Sequence, residues 1–262
     1  MLPARADRNT LISALRARRL DRTLTSTLPD VRPRDEQAVA PTGVPAVDGR
    51  LGGGLPRGQL SEVVGARSSG RTSLLLQAIA SATQRGELVA LVDALDMLDV
   101  PTAVAAGVDL SRLLWVRGHV ALHAGFCRDF AQRSMEQAVR AVGLVLQAGN
   151  VGLVVLDVAE APPDAVRRLP FTTWLRLQRM VEGSQTAAVL VGSAPMARSS
   201  AGVSIRLQRA TAGAAATVSS THARFSGALF EGLSIEAGVS RARVQPVDSS
   251  AIALTTRAAH HV

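Results

Sequence analysis

The strongest constraint on the fold is an alternation of short apolar runs with segments of helical periodicity. The run VGLVVL at 151–156 is continuous and lacks the alternating polar residues of a half-exposed strand. Strands buried on both faces are typical of parallel sheets, because helical crossovers cover both sides. The apolar runs lie at 59–65, 88–93, 113–116, 151–157 and 187–193, and 203–209 alternates as a half-exposed strand. The sequence therefore predicts an α/β fold with a mostly parallel sheet flanked by helices.

The order of these segments predicts three regions. Residues 1–41 combine a basic helix with a proline-containing linker, residues 42–209 hold the alternating core, and residues 210–262 form a basic segment with two edge strands. In the N-terminal helix, Leu11 and Leu15 are four residues apart and share one face. Arg241 and Arg243 are two residues apart and would share one face of a strand. We interpret both pairs as candidate partner-binding residues.

Composition and charge limit the class of protein. Hydrophobic residues make up 47% of the chain, which is enough for a sizeable core, and the apolar runs are far too short to cross a membrane. No signal peptide is expected, and the single cysteine favours a reducing, cytoplasmic location. The net charge of +8 comes from residues 1–35 and 198–262, which carry +4 each. Such ends suit nucleic acid or an acidic partner, or they only keep the chain in solution.

The stretch GARSSGRTS at residues 65–73 follows a predicted strand and precedes a predicted helix. It matches the phosphate-binding pattern G-x-x-x-x-G-K-[ST] at Gly65, Gly70 and Thr72, but Arg71 replaces the lysine. Such a turn points backbone N–H groups at phosphate, and Asp157, at the end of a later strand, could hold the water shell of a magnesium ion opposite Thr72. The alternative is a tight turn that uses glycine only for its backbone geometry.

Residues 42–79 resemble the front of a RecA-family core, with its glycine-rich lead-in, strand, phosphate loop and helix. The stretch LVDALDMLD at 91–99 resembles the next strand of that family and its exit, and the similarity extends over residues 40–209. The resemblance implies a RecA-like P-loop core. It also implies nucleotide binding by Gly65, Ser69, Gly70 and Thr72, with Asp157 at the magnesium.

The departures from the family pattern fall on residues that support hydrolysis. The loop lysine corresponds to Arg71, the loop glutamate to Arg67, the acid that activates water to Leu95, and the nucleotide-sensing glutamine to Ser193. Loss of a general base typically costs about two to four orders of magnitude in rate. We therefore expect no catalytic residue, no metal site, and at most weak ATP and magnesium binding. The vestigial nucleotide site would comprise Gly65, Ser69, Gly70, Arg71, Thr72, Asp157 and Ser193.

A narrower resemblance concerns LGGGLPRG, SSGRTSL and AAGVDLSRLLWVRG, which are similar to ImuA, the RecA-like family of bacterial mutagenesis cassettes. It implies a hydrolysis-deficient adaptor or regulator in the SOS response and error-prone translesion synthesis, at the nucleoid. The implied partners are RecA, an inactive Y-family polymerase homologue and an error-prone replicative-type polymerase. Two alternatives stay open: a DNA-dependent ATPase of the RecA family, and a protein that caps RecA filaments without binding DNA.

A DNA-binding patch is predicted where the first DNA loop of the RecA family would lie. Arg167, Arg168 and Arg176 could pair with the backbone of a single strand, and Trp174 could stack on a base. The alternative for Trp174 is packing in the core.

Overall fold

A computed structural model describes residues 39–118, 128–197, 202–210, 232–242 and 250–256. The predicted N-terminal helix with Leu11 and Leu15 lies outside these ranges, as does Arg243. Of Arg241, only the place in a strand is described. No helix in the described part of the chain is long and apolar enough to span a membrane.

The helices and strands follow the predicted alternation closely. The strands are β1 (Val39–Ala40), β2 (Leu55–Pro56), β3 (Gln59–Gly65), β4 (Val89–Asp93), β5 (Leu113–Arg117), β6 (Leu153–Asp157), β7 (Ala187–Gly192), β8 (Val203–Arg209), β9 (Ser234–Ala242) and β10 (Ile252–Thr255). The helices are α1 (Pro45–Leu51), α2 (Arg71–Gln84), α3 (Val100–Ala105), α4 (Arg128–Ala148), α5 (Pro163–Arg167) and α6 (Phe171–Val181), with a 3-10 turn at Leu110–Arg112.

The described strands form one large sheet in the order β10-β9-β8-β3-β7-β6-β4-β5, beside a small ladder of β1 with β2. Strands β3 to β8 pair in parallel, whereas β9 and β10 are antiparallel to their neighbours. The predicted α/β fold with a mostly parallel sheet is confirmed. Because the parallel strands all end at one edge of the sheet, the loops that follow β3, β4, β6 and β7 meet there.

Helices cover both faces of the sheet, which explains the continuous apolar runs. On one face, α2 packs against the strands through Leu75 and Ile79, which are 4% and 0% exposed. On the other face, α4 contributes Met135, and α6 contributes Trp174 and Leu177. Successive residues of each strand point to opposite faces and so belong to different apolar layers.

The C-terminal strands differ from the prediction of two edge strands within residues 232–244. Ile235, Ala237 and Val239 are buried at alternate positions, so this stretch is one continuous strand, β9, with Gly238 on its opposite face. It lies between β8 and β10, and Arg241 pairs in register with Ser204 of β8. Among the described strands, the sheet edge at this end is β10. The domain boundary near residue 210 stays a prediction.

A buried carboxylate joins three parts of the sheet edge. Glu62 in the middle of β3 is 1% exposed. Its Oε1 accepts hydrogen bonds from the backbone N–H groups of Met196 and Ala197, at 2.7 and 2.5 Å, and its Oε2 accepts one from the Ser204 hydroxyl at 3.0 Å. The segment that leaves β7 is therefore held against β3 and β8 from inside the core.

Candidate functional site

The loop between β3 and α2 has the backbone geometry of a phosphate-binding turn. A Cβ atom on Gly65 would lie 2.3 Å from the Ser69 Oγ and 2.6 Å from the Leu207 carbonyl oxygen, so this position requires glycine. Gly70 precedes α2 with a φ of 87°, and a Cβ there would lie 2.3 Å from Cδ1 of Ile235. The Ser69 Oγ is buried and has no hydrogen-bond partner among the described residues. The turn thus keeps its shape, and Ile235 of β9 packs directly against it.

The Arg71 side chain points back into the protein instead of out of the loop. It is 4% exposed, and its Nη1 donates a hydrogen bond of 2.5 Å to the carbonyl oxygen of Gly65. Its Nη2 pairs with Oε1 of Glu160, whose Oε2 lies 3.1 Å from Nε of the exposed Arg67. Glu160 therefore lies between two arginines of the loop. Arg71, at the lysine position, is thus paired with the protein's own carboxylate, which it shares with Arg67.

Two carboxylates end neighbouring strands beside this ion pair. Asp93 of β4 and Asp157 of β6 are in register. Asp93 accepts hydrogen bonds from the Leu98 N–H at 2.8 Å and from Nε1 of Trp115 at 3.3 Å, whereas Asp157 accepts one from the Ala159 N–H at 2.9 Å. Burial raises the pKa of Asp157 from 3.8 to about 6, and the nearby Asp93 carboxylate adds to the rise. The hydrogen bond from the Ala159 N–H and the charge of Arg71 oppose this rise of the pKa only in part.

We expect Asp157→Asn to stabilise the protein at neutral pH. A carboxyl whose pKa is raised on folding lowers stability as pH rises from its unfolded pKa through its folded pKa, here from about 4 to about 6. Above that window the cost is fully present, and removing the charge should raise the free energy of unfolding by about 2 kcal/mol. The asparagine oxygen can still accept the hydrogen bond from Ala159. Urea unfolding at pH 7.5 and pH 4 measures the gain, which should vanish at the lower pH.

Asp164→Asn is the matched control, because that side chain is 68% exposed. We expect its free energy of unfolding to stay within about 0.5 kcal/mol of wild type at both pH values. A destabilised Asp157→Asn at pH 7.5 would mean that a charged Asp157 carboxylate holds the site together.

Leu95, at the position that resembles the family's water-activating acid, points away from the loop. Its side chain is 5% exposed and belongs to the apolar layer under α4 and α6. The next residue, Asp96, has a φ of 59° and forms two hydrogen bonds of 2.7 Å with the Arg117 guanidinium, which lies over the Trp115 ring. This turn directs the Leu95 side chain into the core. Leu95 therefore differs from a water-activating acid in two ways: it cannot accept a proton, and its side chain does not face the loop.

The space left beside the loop is small. The cavity between the loop and the ends of β4 and β6 holds about 170 Å³. Pockets for small molecules are typically about 300–1,000 Å³. Three predicted site residues border this cavity, namely Arg71, Thr72 and Asp157. Arg67 and Glu160, which pair with each other, border it as well. The structure thus brings together at one end of the sheet Gly65, Ser69, Gly70, Arg71, Thr72 and Asp157. The guanidinium of Arg71, however, is buried in the protein.

Ser193 follows β7, which lies between β3 and β6, so it is at the same end of the sheet, but it does not border the small cavity. It is exposed after β7 and borders a second cavity of about 530 Å³, which it shares with Arg167 and Arg168. Trp174 is 2% exposed and forms part of the floor of this cavity, so it packs in the core, the alternative for this residue. Arg176 is exposed on α6 and does not border the cavity. Three of the four predicted DNA-binding residues therefore border one cavity, and the DNA-binding role itself stays a prediction.

Three acidic residues at this edge were not predicted. Asp93 ends an apolar strand as Asp157 does, and this shared position could have predicted that the two carboxylates lie side by side. Glu62 interrupts the apolar run LSEVV, which indicates a buried polar role. Glu160 has no such signal, because its pairing with Arg71 spans 89 positions of the chain.

Known proteins match the N-terminal part of the chain. A family model described as the RecA N-terminal domain matches residues 25–166. Protein RecA of Streptomyces avermitilis is 39% identical over 136 residues, which cover 51% of this chain and 32% of that protein. The corresponding protein of Clavibacter michiganensis is 39% identical over 130 residues, covering 49% and 32%, and that of Salinispora tropica is 39% identical over 136 residues, covering 51% and 35%. The chain spans about a third of the length of these relatives.

Proposed function

The chain belongs to the RecA N-terminal domain family, and we propose that it acts as a hydrolysis-deficient adaptor or regulator in the bacterial DNA damage response and error-prone translesion synthesis. Its partners would be RecA or the polymerases of a mutagenesis complex. This role follows the resemblance to the ImuA family at LGGGLPRG, SSGRTSL and AAGVDLSRLLWVRG. The loop geometry supports the loss of hydrolysis, and the partners rest on the resemblance alone.

The observation that carries the loss of hydrolysis is the pairing of Arg71 with Glu160 and the Gly65 carbonyl. A cation that contacts terminal phosphates must extend from the loop, whereas this guanidinium is buried against the protein's own acceptors. The residues as arranged do not fit a bound nucleoside triphosphate, since the cavity is small and is lined by four acidic residues, Asp93, Asp99, Asp157 and Glu160. Leu95 supplies no base. A turn that keeps its glycines can still serve as a rigid connection between sheet and helix.

The purified chain should release no phosphate from ATP above background, with or without single-stranded DNA. The physical reasons are that Leu95 offers no base and that Arg71 is paired with Glu160 inside the protein. Phosphate release measures the rate, and Asp157→Ala identifies a contaminant, because contaminating activity persists in that variant. Turnover by the wild type that disappears in Asp157→Ala would contradict the loss of hydrolysis and favour the alternative, a RecA-family ATPase.

The role in cells is tested separately through Thr72. This residue is exposed and borders the small cavity, so Thr72→Val should leave the fold unchanged. If the chain acts without nucleotide, a strain carrying Thr72→Val should keep wild-type survival and mutation frequency after DNA damage, whereas deletion of the gene should lower induced mutation. Ser73→Ala provides the control, because Ser73 is an exposed neighbour that does not border the cavity.

Two outcomes would contradict the proposal. Loss of induced mutation in Thr72→Val, at unchanged protein level and with Ser73→Ala normal, would show that nucleotide binding is needed. An unchanged mutation frequency after deletion of the gene would show that damage-induced mutagenesis does not need this protein.

A further inference from the structure

A second cavity lies at the same edge of the sheet, beyond the ends of β6 and β7. It holds about 530 Å³ and is bounded by α5, by the start of α6 and by the segment after β7. This volume falls in the range of about 300–1,000 Å³ that is typical of ligand pockets. The ion pair of the phosphate loop borders the small cavity and not this one.

The floor of this cavity is apolar. Val158, Leu169, Trp174 and Met196 contribute to it and are each less than 9% exposed, and Phe171 is half-buried beside them. The apolar surface that stays accessible around this floor, on Val166, Phe171 and Pro195, gains about 25 cal/mol for each Å² that an apolar side chain removes from water. The cavity is therefore suited to an apolar anchor residue.

The walls of the cavity are fixed before anything binds. The segment after β7 is held from inside by the Glu62 carboxylate, which accepts the N–H groups of Met196 and Ala197. Opposite this segment, Pro163 and Pro170 stand at the starts of α5 and α6, where their rings restrict the backbone. A preformed pocket binds with a smaller entropic cost than one that must first be ordered.

The rim of the cavity is basic. Arg167 and Arg168 border it, and both are exposed. Arg167 lies 3.7 Å from Asp164, whereas Arg168 has no ion-pair partner within the described ranges. An arginine fork without an intramolecular partner favours a carboxylate or a phosphate as its ligand. An occupant of this cavity would therefore combine an apolar anchor with negative charge beside it.

Single-stranded nucleic acid is a poor match for this surface. Binding of single strands relies on exposed aromatic side chains on which successive bases stack, worth about 1–3 kcal/mol per base. Trp174 is buried, and Phe171 is the one other aromatic residue that borders the cavity in the described structure. An acidic peptide needs a single apolar pocket and an adjacent arginine, and both are present.

The geometry points to a docking site for an acidic peptide segment of a partner protein, with one or two apolar residues seated against Val166, Phe171 and Pro195 and a flanking carboxylate on Arg168. This inference rests on the proposed adaptor role and supplies the chemistry of the partner. It does not depend on whether the phosphate loop binds nucleotide.

Binding of labelled peptides to the full-length chain tests this inference. The probes are acidic peptides of about eight residues whose two central positions hold Leu-Phe, Ile-Leu or Trp-Leu, and a matched peptide with Ser-Ser at the centre. Fluorescence anisotropy should give a Kd below about 100 µM for at least one apolar-centred peptide and no binding of the Ser-Ser peptide. Arg168→Glu should weaken binding about tenfold or more. Arg179→Glu, an equal charge change on α6 away from the cavity, should change it less than about twofold.

Three results would overturn the inference. No binding of any apolar-centred peptide to the wild type would exclude the site, and the phosphate-release and Thr72 experiments would be unaffected. Equal weakening by Arg168→Glu and Arg179→Glu would indicate general attraction to a basic chain. The third result concerns a thymidine oligonucleotide. If it displaces the peptide, binds more tightly than every peptide and loses its binding in Arg168→Glu, the cavity is a nucleic-acid site.

Discussion

Glu62→Ala is expected to lower the free energy of unfolding by about 3–5 kcal/mol, because it removes the buried carboxylate that accepts hydrogen bonds from three buried donors. These donors are the N–H groups of Met196 and Ala197 and the hydroxyl of Ser204. An unsatisfied buried donor costs about 1–3 kcal/mol, and the removed side chain also leaves a void. Urea unfolding measures the loss, and proteolysis near residue 196 should become faster than in wild type.

Glu236→Ala is the matched control for Glu62. Glu236 is a half-buried residue of β9, and its side chain accepts one hydrogen bond, from Nε2 of Gln208 at 2.9 Å on the surface. We expect a cost of less than about 1 kcal/mol. Glu62→Gln keeps one oxygen for the two backbone donors and should fall between the two. Equal stability of Glu62→Ala and wild type would mean that the segment after β7 is held by its apolar contacts alone.

Restoring the family's acid through Leu95→Glu is expected to destabilise the protein by about 4 kcal/mol and to give no ATPase activity. Leu95 is buried in the apolar layer beneath α4 and α6, where a carboxylate would lack both water and a partner. Relaxation around the site or protonation of the new side chain limits the cost. Thermal unfolding and phosphate release measure the two outcomes.

Leu95→Met separates the effect of charge from that of shape. A volume-conserving apolar change in a core costs less than about 1.5 kcal/mol, so this variant should stay close to wild type. If Leu95→Glu were as stable as Leu95→Met, the residue would have to leave the core and face the loop. ATP turnover by the stable variant would then show that the site lacks only its base.

The elements of the fold could be predicted from the sequence because their signals are local. The apolar run of β6 and the glycines of the loop carry their information within a few residues, and the bounds of β3 to β8 agree closely with the predicted runs. Residues 232–244 were predicted to hold two edge strands, whereas buried residues on either side of Gly238 continue one strand, β9.

The chemistry of the site could not be predicted in the same way, because it depends on distant partners. Arg71 was assigned to the vestigial nucleotide site, and only the fold places Glu160 against it. The orientation of Leu95 depends on the turn at Asp96, which is held by Arg117. Ser193 was assigned to the nucleotide by resemblance, but the path of the chain after β7, fixed by Glu62, puts it beside the second cavity.

The buried Arg71–Glu160 pair has a consequence for how such a protein would be controlled. A protein whose loop binds nucleotide gains stability by mass action, so its conformation follows the cellular supply of ATP and the exchange of product for substrate. If the chain acts without nucleotide, as we propose, that link is absent, and no hydrolysis step times release from a partner. Control of the activity then passes to the amount of the protein, through its synthesis and degradation, and to competition among its partners.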